Sequence, residues 1–243
     1  MKVLTIAMMR DDAPIVPYFV RHYRQFSDVL IFDDHSTDNS AAIAATEGAS
    51  VRPVDDEDDS LGLQERLLRA KNHAWKPVRE TVDWIIAVDV DEFLYHENMS
   101  YVLRRARELE ATVLAPCGYQ MVSDRPPRGS GLITNEICRG VISPLYSKLC
   151  CFNPLKIDEI NFDIGGHYTA PTGAGVTLLP YPGLKLLHYH YLGVEYTLER
   201  YARRNRTWQD RDRPFTYWRE LADTPEYVRG VVAALDAQAA DVV

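Results

Sequence analysis

Trp84-Ile-Ile-Ala-Val-Asp-Val-Asp-Glu-Phe93 is the stretch that decides the fold. Its first half reads as an apolar strand, and it runs straight into two carboxylates one residue apart, Asp89 and Asp91. Residues i and i+2 of a strand share a side, so both carboxylates are expected to face one spot beyond its end. In an open α/β sheet that end is where ligands bind. Two hard oxygen ligands there suit Mg²⁺ or Mn²⁺, which in turn hold phosphate oxygens. Two like charges side by side repel until a cation bridges them. Neutralising Asp91 is therefore expected to leave the metal-free fold equally stable or slightly more so.

Upstream of this stretch, strand and helix patterns alternate. Val3 to Met9 reads as a buried strand, and Asp11 or Asp12 can cap a helix with Pro14 in its first turn. Ile15, Phe19, His22 or Tyr23, and Phe26 recur at helical spacing. Val29 to Phe32 is a second strand, followed by an Ala-rich helix that Gly48 stops, and Ser50 to Val54 is a third. Leu61 to Trp75 has helical spacing up to Pro77. Downstream, a helix over 100–109 and a strand over 112–117 continue the series. Such a β-α-β series implies right-handed crossovers and a mainly parallel sheet with helices on both faces.

After residue 117 the texture changes to a Pro/Gly loop at 126–131, short β-like pieces up to 191, and helical spacing from Tyr196 to about Gln209 with a last short helix. The expected organisation is a single domain over 1–243. Its nucleotide-sugar half covers 1–115, a smaller acceptor-side β region 116–192 and a helical tail 193–243.

The net charge of −8 argues against a nucleic-acid partner, because such proteins need a basic face; Arg203, Arg204 and Arg206 form only a local cluster. The acidic run Asp55 to Asp59 reads as a solvated loop. Four cysteines show no metal-ligand spacing, and the adjacent Cys150 and Cys151 are poorly placed for an ordinary disulfide. The apolar run Val3 to Met9 stops at Arg10-Asp11-Asp12, too short for a membrane span. The expectation is a cytoplasmic protein with reduced thiols and no integral membrane segment.

A second acidic cluster, Asp33-Asp34-His35-Ser36-Thr37-Asp38, also stands at a strand's carboxyl end. A carboxylate there can accept hydrogen bonds from a base or a ribose hydroxyl, while Asp38 or Thr37 can equally cap the next helix. Together the two clusters resemble glycosyltransferase family 2 on the GT-A fold, over roughly residues 3–115. Phe32 to Ser40 looks like that family's nucleotide-binding strand end, and Asp89-Val90-Asp91 looks like its metal-binding DxD motif in the Asp-Val-Asp-Glu-Phe form of one subgroup. Where that subgroup carries Lys-Asn-Glu after the first strand, this chain has Arg10-Asp11-Asp12.

The resemblance implies a nucleotide-sugar site that includes Arg10, Asp33, Asp34 and Asp38, with Gln64, Lys71 and Asn72 toward the diphosphate. In Leu186 to Tyr191, alternation sets His188 and His190 on one face of a strand. The resemblance implies that one of them approaches the metal or the diphosphate, and His190-Tyr191 is the closer match. The implied metal set is Asp89, Asp91 and His190, holding Mn²⁺ or Mg²⁺. Lys148 and Gly165-Gly166-His167 are similar to a further stretch of the subgroup.

The implied reaction moves a sugar from a nucleoside diphosphate sugar, uridine by resemblance, to a carbohydrate or other acceptor hydroxyl. Inversion needs a carboxylate base near that hydroxyl, for which Asp163 is the candidate and Glu136, Asp158 and Glu159 are rivals. Two other enzyme classes share parts of the pattern. A haloacid dehalogenase-type phosphatase has Thr where this chain has Phe93, and a nucleotidyltransferase opens on a Gly-rich loop where this chain has Met8 to Asp12. A sugar-binding protein without turnover is the non-enzymatic alternative.

Overall fold

A computed structural model describes residues 1–54, 62–207 and 224–243, with backbone alone at 63, 64 and 204–207. The expected first strand is β1 (Val3–Met9), and β2 (Asp28–Asp33), β3 (Ser50–Pro53) and β4 (Trp84–Asp89) follow as parallel strands in the order β3-β2-β1-β4. Along β4, Trp84, Ile86 and Val88 enter one apolar cluster while Ile85 and Ala87 enter another on the opposite face. That two-sided burial is why the strand reads as an unbroken apolar run. Helices α1 (Val16–Tyr23), α2 (Ser40–Thr46) and α4 (Met99–Glu108) pack on the first face, and α3 (Leu63–His73) on the second.

The second half joins the same sheet. β5 (Glu92–Tyr95), β6 (Val113–Ser123), β7 (Arg139–Ile142), β8 (Cys151–Phe152), β9 (Leu178–Leu192) and β10 (Ala240–Asp241) continue it beyond β4. β8 is wedged antiparallel between β4 and β6, and β9 runs parallel to β6 and antiparallel to β5. Helices α5 (Val194–Thr207) and α6 (Pro225–Gln238) complete the chain, so the last helix is longer than its sequence pattern implied.

Two local expectations, the start of the first helix and the end of one strand, are corrected. Neither Asp11 nor Asp12 caps α1 by its side chain: the helix begins at Val16, its first-turn proline is Pro17 rather than Pro14, and only the Asp12 carbonyl receives N–H groups from Ile15 and Val16. Asp11 instead adopts φ 52° and turns its carboxylate back on the β2–α2 loop, where it accepts Thr37 N at 2.6 Å. The strand expected at 112–117 runs on to Ser123, because β7 and β9 flank its distal half. The acidic run 55–59 lies outside the described residues.

Candidate active site

Because β1, β2 and β4 are parallel, their carboxyl ends open on one edge of the sheet, and the acidic clusters meet there. Asp89 follows the parity of Ile85 and Ala87 onto the α3 face. Lys71 of α3 reaches it there, Nζ to Oδ1 2.7 Å. Against the cost of burial, Lys71 and then Lys148 hold the Asp89 carboxyl below the ordinary carboxylate range. Val90 and Asp91 form the turn from β4 to β5, so Asp91 leaves the strand and faces elsewhere. The two carboxylates do not share one spot.

Asp91 is buried, and its Oδ2 lies 2.7 Å from Arg200 Nη2, 3.3 Å from His188 Nε2 and 3.8 Å from His190 Nδ1. Burial drives this carboxyl upward, yet Arg200 and then His188 hold it well below its usual range. Glu92 completes the motif with two jobs. One oxygen accepts Asp89 N at 3.1 Å and the other pairs with the buried Lys148, whose Nζ also donates to Gly165 O at 2.5 Å. Each carboxylate of Asp89-Val90-Asp91-Glu92 thus has its own cation: Lys71, Arg200 and Lys148.

The histidines are set by β9. Their rings stack at 5.5 Å between centroids, 11° apart, as strand alternation requires. In register, His188 lies between Glu92 of β5 and Gln120 of β6. Gln120 Nε2 donates to two carbonyls, Met121 O and His188 O, both at 2.9 Å, so its Oε1 is left to accept His188 Nδ1–H at 2.7 Å. This bond fixes the ring's orientation, with Nε2 facing Asp91 Oδ2. Tyr146 stacks on the other face of the His188 ring at 3.9 Å. Burial pushes the imidazole of His190 down to about 3, leaving it neutral, with Nε2 3.2 Å from Tyr201 Oη.

Ligand atoms of Asp91, His188 and His190 lie within 4.8 Å of one another, and among the described residues they form the cluster able to hold a metal ion. An ion bonded at about 2.1 Å spaces neighbouring ligand atoms by roughly 3.0–3.4 Å, close to the 3.3 Å and 3.8 Å seen from Asp91 Oδ2. The donor set therefore fits a divalent ion. Asp89, expected to share this role, stands outside the cluster and holds Lys71 instead.

The second acidic cluster is committed to the protein itself. Asp34 is fully buried and held by Arg10 Nη1 at 2.6 Å and Arg66 Nη2 at 3.1 Å. Asp33 accepts from Ser36, and Asp38 accepts Ser40 N at 2.9 Å and Ala13 N at 3.2 Å. These bonds fasten the β2–α2 loop to the loop after β1. Asn72 is likewise spent on backbone, bridging Phe162 N and O at 2.9 and 3.1 Å. The Gln64 side chain lies outside the described residues. Asp34 thus draws Arg10 and Arg66 together. Burial raises the Asp12 carboxyl to about 6, against the opposing pull of Arg200.

Asp163 is exposed and opens the turn Ile164–Gly166, accepting Tyr168 N at 2.8 Å. Gly165 and Gly166 have φ of 79° and 64°, which bends the turn over the two lysines: Gly165 O takes Lys148, and a side chain at Gly166 would meet Lys71 Nζ at 3.6 Å. Among the rivals of Asp163, Glu136 is occupied by Arg128 N and Gly129 N, and Glu159 by Lys76. His167 directs Nδ1 to Leu145 O at 3.1 Å.

Neither a family model nor a curated protein matches this chain. Solved structures do. Mannosyl-3-phosphoglycerate synthase from Rubrobacter xylanophilus is 20% identical over 57% of this chain and 45% of its own, with a TM-score of 0.37. Glucosyl-3-phosphoglycerate synthase from Mycobacterium tuberculosis, in complex with Mn²⁺, UDP-glucose and phosphoglyceric acid, is 14% identical over 49% and 43%, with a TM-score of 0.34. This chain spans less than half the length of either. Likeness at this level concerns backbone arrangement and nothing finer.

The sequence patterns missed Arg200, Glu92, Gln120 and Tyr146, and left His188 outside the metal set. Glu92 was visible beside Asp91, and alternation had already put His188 with His190. Arg200 carried no local signal, because a helix after β9 brings it back to the carboxyl edge.

Proposed function

We propose that this chain is a metal-dependent glycosyltransferase of GT-A type that moves a sugar from a nucleoside diphosphate sugar, with uridine as the nucleoside, to an acceptor hydroxyl with inversion. The observation that supports the reading best is the Asp91–His188–His190 cluster beside a row of cations at the carboxyl edge of a parallel sheet. In this reading Asp91, His188 and His190 hold the metal, and two imidazoles favour Mn²⁺ over Mg²⁺. When bound, the ion supplies positive charge to the leaving diphosphate.

The chain's own residues do the rest. Gln120 and Tyr146 fix the ring of His188 so that its Nε2 faces the ion site. Lys71 and Lys148 are held by Asp89 and Glu92 at fixed positions, preorganised to face phosphate oxygens. Arg10, itself anchored on Asp34, flanks the nucleotide side, with Asp33, Asp38 and Asn72 shaping its loops rather than touching ligand. Asp163, on the turn that covers both lysines, takes the proton of the acceptor hydroxyl.

The same two-histidine, one-carboxylate set also serves mononuclear iron chemistry, but the lysines and arginines along this edge favour a polyanionic ligand. The test is a melting series with UDP-glucose and a panel of other nucleoside diphosphate sugars, each with chelator, Mn²⁺, Mg²⁺ or Fe²⁺. A donor present at a hundred times its Kd adds about 2.7 kcal/mol to stability, and the expected result is a shift that needs both donor and Mn²⁺. His188→Ala and His190→Ala should each remove the metal-dependent part. If every donor shifts both variants as it shifts the wild type, the histidines hold no metal and the reading falls. For Asp163→Asn the expected result is intact donor binding with transfer reduced at least about a hundredfold.

A further inference from the structure

Asp91 Oδ2, the oxygen that faces both histidines, is already taken by a cation. Arg200 Nη2 lies 2.7 Å away, and the same nitrogen is 3.7 Å from Asp12 Oδ1. The Arg200 side chain is 15% exposed, and its Nη1 is buried with no hydrogen-bond partner among the described residues. The guanidinium therefore holds Asp91 by one prong, not by the two-pronged grip that makes arginine–carboxylate pairs rigid. Asp12, by contrast, is fixed: its Oδ2 accepts Arg10 N at 3.2 Å and its own N–H donates to Ser40 Oγ at 2.8 Å.

We propose that Arg200 is the resident cation of Asp91 in the metal-free protein and that it yields the carboxylate to the metal by turning onto Asp12. The proposal rests on the metal site argued above and adds a competitor to it. A divalent ion about 2.1 Å from Oδ2 and a guanidinium nitrogen at 2.7 Å from the same atom would crowd two cations onto one oxygen. Their repulsion falls only if the arginine moves, and Asp12 is the carboxylate within reach. Arg200 thus acts as a positioning residue: it keeps Asp91 ionised and in place without metal, and lowers the affinity for metal alone.

The experiment is calorimetric titration of Mn²⁺, with no nucleotide, into the full chain and its variants. Arg200→Met and the more conservative Arg200→Gln should each bind Mn²⁺ at least about tenfold more tightly than wild type, the scale set by removing one like charge a few ångström away. Asp12→Asn should weaken Mn²⁺ binding in the wild-type background but change it less than twofold in the Arg200→Gln background, since there is then no arginine to receive. Arg200→Met that can be recovered only with Mn²⁺ present supports the exchange directly. Affinity in Arg200→Gln equal to or weaker than wild type overturns the proposal, as does an Asp12→Asn effect of equal size in both backgrounds. Asp91→Asn separates the two levels. If it binds Mn²⁺ as wild type does, the metal site itself is wrong; if it abolishes binding while Arg200→Gln leaves it unchanged, only the exchange is wrong.

Discussion

Asp91 and Asp34 were legible as acids at strand ends, but their partners were not, and partners decide what a substitution does. The repulsion between Asp91 and Asp89 is outweighed in the metal-free protein, because Asp89 has Lys71 and Asp91 has Arg200. The expectation that Asp91→Asn is neutral or stabilising without metal is therefore reversed. Removing one member of a buried pair leaves a charge uncompensated, a loss of about 3–5 kcal/mol, moderated here by the nearby Asp12. Asp91→Asn should lose about 2–3 kcal/mol in chelator by urea denaturation and gain nothing from Mn²⁺. For Asp34→Ala, which removes a buried carboxylate shared by two partly buried guanidinia, the expected loss is about 3 kcal/mol, with weaker nucleotide binding following from a displaced Arg10. Unchanged stability together with lost nucleotide affinity would return Asp34 to direct ligand contact.

Strands β1, β2 and β4 could be read in the sequence because each carries a buried apolar run bounded by turn residues, whereas β3, an exposed edge strand, gave only a weak pattern. The second half resisted. Strand β8 is two residues long and β9 fifteen, and their pairing is set by partners distant in the chain rather than by local pattern. The row of three cations was equally hidden: Lys71, Lys148 and Arg200 come from α3, the segment before β8 and α5, and only the closed sheet brings them to one edge. One such long-range contact is testable at Gly118 of β6, where an added Cβ would lie 2.1 Å from the Tyr146 backbone carbonyl carbon. Backbone cannot be shed as a flexible side chain can, so the turn carrying Tyr146 must shift. Gly118→Ala should cost about 2 kcal/mol or more, and, by loosening the Tyr146–His188 stack, weaken Mn²⁺ binding as well. A variant with wild-type stability and Mn²⁺ affinity would show that the turn yields freely and that the stack does not position His188.

At the scale of the whole molecule, the chain carries a net charge of −8 yet gathers its buried cations at one edge of the sheet, so acid sensitivity has more than one source. His22 gives a source that is remote from this edge. It lies in α1, 3% exposed, with Phe26 and Phe93 against its ring and Nε2 2.9 Å from Leu94 O. Burial pushes the imidazole down to about 4, against the opposing hydrogen bond to that carbonyl. The unfolded chain takes up a proton at this residue near pH 6.5, whereas the folded chain resists until about pH 4. Between those values the unfolded state binds more protons, so the contribution of His22 is full above pH 6.5 and is lost as the pH falls. His22→Gln keeps an N–H for Leu94 O but does not titrate. Measured by urea denaturation, the stability of wild type relative to His22→Gln should fall by roughly 2–3 kcal/mol between pH 7.5 and pH 4.5. Comparing the two chains cancels the opposite trend of Asp12, whose raised carboxyl favours the folded state as the pH drops through about 6. A constant difference across that range would mean that His22 accepts its proton in the folded protein, and that the aromatic wall around it opens to water below pH 6.5.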